Sequence, residues 1–199
     1  MIIAGITGGI GSGKTTVCKE WEKLGAVVVY ADDLAKDLMV RDEKLREKLI
    51  SLFGSDTYNK DGSLNKPHLV EQAFQKGRVQ DLNNAVHPVV QNAFAEICSS
   101  EKAKGTQLVV KEAALMLNKG RPKEFDCIVL VLSSKDNRIS RVQIRDNAGY
   151  DEIVSRMDQQ PDFEELTHLS DHVINNDGTL HQLQKKSQEI YKKITTENW

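Results

Sequence analysis

Between Ile6 and Val17 the chain reads ITGGIGSGKTTV, and within it Gly8, Gly13, Lys14 and Thr15 satisfy G-x-x-x-x-G-K-[ST]. Residues of these types at this spacing hold the phosphates of a nucleotide. Glycines let backbone N–H groups turn inward around phosphate oxygens with no Cβ in the way. The N-terminus of a following helix adds partial positive charge. Gly11, Ser12, Gly13, Lys14, Thr15 and Thr16 are therefore the expected ATP-binding residues. Lys14 should reach the β- and γ-phosphates, and the Thr15 hydroxyl should help hold Mg²⁺. The bland alternative, a glycine turn with an incidental lysine, fits the strand–loop–helix setting poorly.

Such a loop does not say where the phosphate goes. A GTPase would add a guanine-reading NKxD after a later strand, but Asn59–Gly62 reads NKDG, with turn-forming flanks. Asp146–Gly149, DNAG, follows a helical segment and also reads as a turn. A small-molecule kinase fits better. It needs a carboxylate near the acceptor hydroxyl, to orient it and accept its proton or to hold metal. Asp32 and Asp33 stand just beyond a second apolar strand, on the edge where open parallel sheets bind ligands. Helix capping is the other use of either one. A kinase also needs cations around the transferring group and a lid that excludes water. Arg138, Arg141 and Arg145 are spaced to share one helix face, and Arg156 lies beyond a DNAGYD turn. Taken alone, such a basic face could equally be a solvated one.

These groups need a frame. MIIAGI and Ala26–Tyr30 (AVVVY) are short apolar runs of the kind found in buried parallel strands. Val17, Trp21 and Leu24 mark a helix between them that Gly25 would end. Strand, helix and strand in about thirty residues make a βαβ unit. Leu45, Leu49, Leu52 and Phe53 stripe a further helix, and helical patterns follow over Pro67–Gln75, Val79–Val86 and Pro88–Ser99. Leu108–Glu112, Cys127–Leu132 and His172–Asn176 read as strands; Arg138–Arg145 and the segment from Leu180 to Ile194 read as helices. The sum is an α/β fold: a parallel five-stranded sheet flanked by helices. A helical insertion lies between strands two and three, and a mobile piece follows strand four.

Composition bounds the setting. The chain has 199 residues and a formal charge of −2, which suits one compact domain and argues against a dedicated nucleic-acid binder. Cys18, Cys98 and Cys127 form no CxxC pair, so a reducing cytoplasm is the simplest compartment. No apolar run reaches membrane-spanning length and no secretion signal is visible at the N-terminus. No membrane partner is expected.

Several separated pieces together resemble the dephospho-CoA kinase family: TGGIGSGKTTV, YADDLAK, FGSDTYNKDGSLNKPHL, LNNAVHPVV, RVQIRD and HVINNDG. The resemblance runs from Ile6 to Gly178 and implies a P-loop kinase-like fold. It also implies transfer of the ATP γ-phosphoryl group to the ribose 3′-hydroxyl of dephospho-CoA, giving CoA and ADP. ATP and Mg²⁺ would be the cofactors, and the two small molecules the partners of a monomer or weak homo-oligomer. The implied organisation is a single domain over 1–199, with a core of about 1–40 and 105–199, an acceptor-binding insertion of about 41–104 and a lid of about 141–168. Asp32 takes the place of the family's proposed catalytic carboxylate, beside Lys14, Arg141 and Arg145. Asn176 takes the family's asparagine position next to the adenine. Asp32, Lys66, His87 and Glu112 would bind the acceptor, and Arg141, Arg145 and Arg156 would line the lid. His87, ahead of Pro88, also suits a packing or capping place in a helix. The chain departs from the family pattern at Tyr30, an aspartate elsewhere, at Lys66, where arginine is usual, at Asn118, often glutamate, and at Leu166, where a basic residue often follows the lid. A related kinase for another metabolite, or a nucleotide-binding module without transfer, are the competing readings.

Overall fold

The computed structural model describes residues 1–196, so the last three residues assigned to the core lie outside the described residues. In chain order the elements are β1 (Ile2–Thr7), α1 (Lys14–Lys23), β2 (Val27–Tyr30), α2 (Ala31–Arg41), α3 (Glu43–Phe53), α4 (Lys66–Val70), α5 (Val79–Ala103), β3 (Leu108–Glu112), β4 (Cys127–Leu132), α6 (Lys135–Asp146), α7 (Tyr150–Asp158), β5 (His172–Asn175) and α8 (Leu180–Thr196). The strands form one parallel five-stranded sheet in the order β2-β3-β1-β4-β5. Continuous apolar runs make this sheet, because strands covered on both faces cannot alternate with polar residues. Cys127 to Val131 are all buried. The register sets Ile6 beside Glu112, the last residue of β3, and Thr7 beside Leu130, two residues before β4 ends, so the chain leaves β1 into the loop near the ends of both neighbours.

The chain divides into two compact units. One comprises Met1–Tyr30 and the chain from Ser100 onward, and holds the sheet. Its core joins Ile6, Val17, Trp21, Val110, Val129 and Ile174. Trp21 is fully buried; its indole N–H donates to the Ser187 carbonyl at 3.0 Å, and its ring meets Tyr191 edge-on at 5.9 Å. Truncating such a side chain costs about 3–5 kcal/mol. The other unit, Ala31–Ser99, is helical. Leu45, Leu49, Phe53, Leu69, Val86 and Val90 form its core. The Asp42 side chain caps α3 by accepting from Leu45 N at 2.8 Å.

Three local expectations change. The patterns Val79–Val86 and Pro88–Ser99 are one continuous helix, α5, with Pro88 inside it. Proline deletes one backbone donor and crowds the preceding turn, but Ala85, Val86 and Val90 keep one buried face on both sides of it. The helix expected over Pro67–Gln75 is α4 followed by a π-helical turn at Glu71–Gln75. The helical unit starts at Ala31, which places Asp32 and Asp33 in it.

The two near-miss guanine motifs are turns. In NKDG, Gly62 N donates to Asn59 O at 2.9 Å and Asn59 N to Ser63 O at 2.8 Å. DNAG joins α6 to α7, with Asn147 at a left-handed φ of 51° capping α6. No helix among the described residues is long and apolar enough to cross a membrane.

Candidate active site

The phosphate loop leaves β1 at Thr7 and re-enters regular structure at Lys14, the first residue of α1. Gly13 precedes that helix at φ 104°, a conformation that strains any residue with a Cβ, and a Cβ there would run into the Asn176 carboxamide. Within the loop, Ser12 N donates to Gly9 O at 3.1 Å, closing a turn, and Lys14 Nζ donates to the same carbonyl at 3.2 Å. Lys14 is only 8% exposed.

From outside, three side chains hold three consecutive loop carbonyls. Arg138 Nε donates to Ile10 O at 2.9 Å, Arg141 Nη1 to Gly11 O at 3.3 Å, and Asn176 Nδ2 to Ser12 O at 2.8 Å. Arg141 also donates to Asn176 O at 2.8 Å and to the Ser133 hydroxyl at 3.0 Å. Asn176 is buried, and its side-chain amide faces the loop backbone. Ser12 Oγ is buried without a hydrogen-bond partner among the described residues. Ser12, Gly9, Ser133, Arg138 and Phe163 contribute to the lining of a cleft of about 280 Å³.

Asp177 secures the next layer. Ser134 stands at the N-terminus of α6 without a side-chain cap of its own. The Asp177 carboxylate accepts instead from Ser134 N at 2.8 Å, Ser133 Oγ at 2.8 Å and Asn137 Nδ2 at 3.0 Å. These donors, the Asn137 amide foremost, hold its carboxyl well below the usual carboxylate range. The arginine-bearing helix is thereby tied to the turn after β5.

On the other side of the loop, Thr15 Oγ1 donates to Glu112 Oε2 at 3.1 Å. Tyr30 is in register with Glu112 on β2 and donates from its hydroxyl to Glu22 Oε1 at 3.3 Å. Burial, followed by the neighbouring Cys18 and Glu22, pushes the Tyr30 hydroxyl up, so it stays protonated. It supplies no anion in place of the aspartate usual at its position. Burial likewise pushes the Cys18 thiol up, leaving it an inert core group.

Arg145 and Arg156 meet at Asp146. Arg145 donates to both carboxylate oxygens at 2.7 and 3.0 Å, and Arg156 Nη1 to Oδ2 at 3.3 Å. Arg156 also pairs with Glu152. The Arg145 hydrogen bond is the main cause that lowers the Asp146 carboxyl and raises the Arg145 guanidinium.

In the helical unit, Asp32 and Asp33 are exposed in the first turn of α2, where the helix dipole favours negative charge. Asp33 accepts from Lys36 Nζ at 2.8 Å. Lys66 opens α4 at an exposed position, after Asn65, whose side chain accepts from His68 N at 3.3 Å. His87 is exposed within α5, one residue before Pro88.

The structure thus connects Gly11, Ser12, Arg141 and Asn176 through direct bonds, separately pairs Thr15 with Glu112, and brings Arg145 and Arg156 together at Asp146. Sequence reasoning missed Asp177 and Ser133, assigned Gln160 no role, and placed Arg138 only among the arginines that share one helix face. Asp177 had one legible signal, its place in an NNDG turn; nothing in the order of residues pairs it with Ser134.

A family model for dephospho-CoA kinase matches residues 2–182. The chain is 42% identical to a dephospho-CoA kinase of Salinibacter ruber over 196 residues, covering 98% of each. A solved Thermus thermophilus structure is 30% identical and superposes with a TM-score of 0.80, covering 96% of this chain and 97% of the other. The solved dephospho-CoA kinase of Campylobacter jejuni, 21% identical, shares the fold with a TM-score of 0.66 and 98% coverage of both. With a match spanning nearly its whole length, and a phosphate loop braced between β1 and α1, this chain belongs to the dephospho-CoA kinase family.

Proposed function

We infer that the protein is an ATP-dependent dephospho-CoA kinase, moving the γ-phosphoryl group of ATP to the ribose 3′-hydroxyl of dephospho-CoA and releasing ADP. The observation that carries this is the family match over residues 2–182 together with the braced loop. Loop amides and the α1 N-terminus bind the donor phosphates, and Lys14 compensates charge on the group in transfer. Asp32 orients the acceptor hydroxyl and takes its proton. Lys66, His87 and Glu112 contribute to holding the acceptor. Arg145 and Arg156, now sharing Asp146, have a stronger anionic partner in the transferring phosphoryl group. Arg141 acts from where it stands, against Gly11 O.

Magnesium fits the residues present. The described residues contain no cluster of three His, Cys, Asp or Glu that could cage a metal, but Mg²⁺ in kinase sites takes one or two protein oxygens plus phosphates and water. The hydroxyl of Thr15 and the carboxylate of Glu112, already in contact, are hard oxygen donors of that kind. Bound there with ATP, the ion would neutralise phosphate charge.

An assay of ADP release with dephospho-CoA, with plain nucleosides and with no acceptor tests the reading. Turnover that requires dephospho-CoA is expected. Preference for a nucleoside, or ADP release indifferent to any acceptor, overturns it.

A further inference from the structure

We propose that Arg138 and Gln160 are positioning residues for phosphoryl transfer, acting on the phosphate loop through the two peptide groups of Ile10. The proposal rests on the kinase reading and adds two residues to its machinery.

Ile10 is held on three sides. Its N–H donates to Gln160 Oε1 at 2.9 Å, and its carbonyl accepts from Arg138 Nε at 2.9 Å. Arg138 Nη2 donates to the same Gln160 oxygen at 3.4 Å, closing a ring of three hydrogen bonds. The Ile10 side chain packs against the buried cluster of Ile139, Val142, Ile153 and Met157, contributed by α6 and α7. The fit also depends on a neighbour lacking a side chain: a Cβ at Gly9 would run into the Arg138 guanidinium.

Peptide planarity turns this grip into aim. In a trans peptide the carbonyl of one residue and the N–H of the next point in opposite directions. Arg138 draws the Ile10 carbonyl outward, so the Gly11 N–H is directed the other way, toward the concave side where phosphates sit. Asn176 on Ser12 O applies the same constraint to the Gly13 N–H, while Arg141 on Gly11 O fixes the intervening peptide, whose Ser12 N–H closes the turn onto Gly9 O. Gln160 completes it by occupying the Ile10 N–H, which fixes the preceding peptide plane. Arg138 comes from α6 and Gln160 follows α7 by two residues. The loop tip is therefore set by both arms of the helical hairpin that carries Arg145 and Arg156. Donors fixed in advance need no reorganisation at the moment of transfer.

The Gln160 oxygen acts only as an acceptor in these bonds, which gives a sharp test. Gln160→Ala removes the acceptor, whereas Gln160→Glu keeps an oxygen that both donors can use. We would measure kcat, KM for ATP and for dephospho-CoA, ADP affinity by calorimetry, and Tm. Gln160→Ala is expected to lower kcat/KM for ATP by roughly 10–100-fold, the scale of a small misplacement of catalytic groups, and to weaken ADP binding. KM for dephospho-CoA should stay unchanged, and Gln160→Glu should recover most of the loss. Unchanged kcat/KM and ADP affinity beside a lowered Tm would mean a merely structural role and overturn the proposal. So would a Gln160→Glu variant as impaired as Gln160→Ala. If Gln160→Ala does not fold, Arg138→Lys tests the same ring; it keeps charge but loses the fork that joins Ile10 to Gln160. Wild-type kcat/KM and ADP affinity in that variant would also overturn the proposal. Loss of the kinase reading itself would show separately, as absent wild-type turnover with dephospho-CoA, while the ADP measurement stands without it.

Discussion

The phosphate loop and the helical unit offer two ways of presenting a functional group. Around the loop, Arg138, Arg141, Asn176 and Gln160 hold backbone groups from positions more than a hundred residues away in sequence, each partly or fully buried. In the helical unit, Asp32, Lys66 and His87 are exposed on ordinary helices, placed by helical phase and by a core of Leu45, Leu49 and Phe53. The contrast follows from what each group must do. Backbone amides cannot change rotamer, so a loop that binds phosphate through them has to be shaped beforehand by its surroundings. A carboxylate or ammonium on a side chain can find its partner by rotation, and a helix is support enough.

Three changes would sharpen or break this contrast. The largest effect is expected at Asp32. Asp32→Asn should lower kcat by roughly 10²–10⁴-fold, the range for removing a general base, with ADP affinity measured by calorimetry unchanged. Asp33→Asn should do little, and the reverse order would move the role to Asp33. Next comes Lys14→Ala, which removes a cation from the preshaped side. A loss of roughly 10²–10³-fold in kcat is expected, as for other preorganised electrostatic donors, and near-normal kcat in a steady-state assay would remove Lys14 from the mechanism.

The smallest effect concerns Asp177, which braces the loop's surroundings. Its carboxyl is depressed by the Asn137, Ser134 and Ser133 donors, so its contribution to stability is present above the ordinary carboxylate pKa of about 4 and fades as pH falls below it. Asp177→Asn should lower Tm modestly at neutral pH, and the gap from wild type should close on acidification. A gap that stays constant through that range in thermal melts would show that the charge of Asp177 contributes nothing.

Much of this was legible beforehand. The strands over Leu108–Glu112 and Cys127–Leu132 coincide with the apolar runs, because parallel strands buried on both faces leave no room for polar residues. The G-x-x-x-x-G-K-[ST] spacing located the loop for a similar reason: only glycine allows the backbone at Gly13. Pro88 misled, since a local rule against proline in helices was outweighed by the apolar face continuing from Ala85 and Val86 to Val90.

What the sequence alone determined is chemistry tied to short range: a phosphate loop, a carboxylate two residues past β2, arginines at helical spacing, and a family pattern. What only the tertiary structure decided is which distant groups hold that loop. The bonds from Arg138 and Gln160 to Ile10, from Asn176 to Ser12 and from Asp177 to Ser134 span 128, 150, 164 and 43 positions. No local periodicity encodes such pairs, because their partners are mostly backbone atoms that every residue carries alike; strand order and helix placement bring each side chain to one carbonyl or amide rather than another.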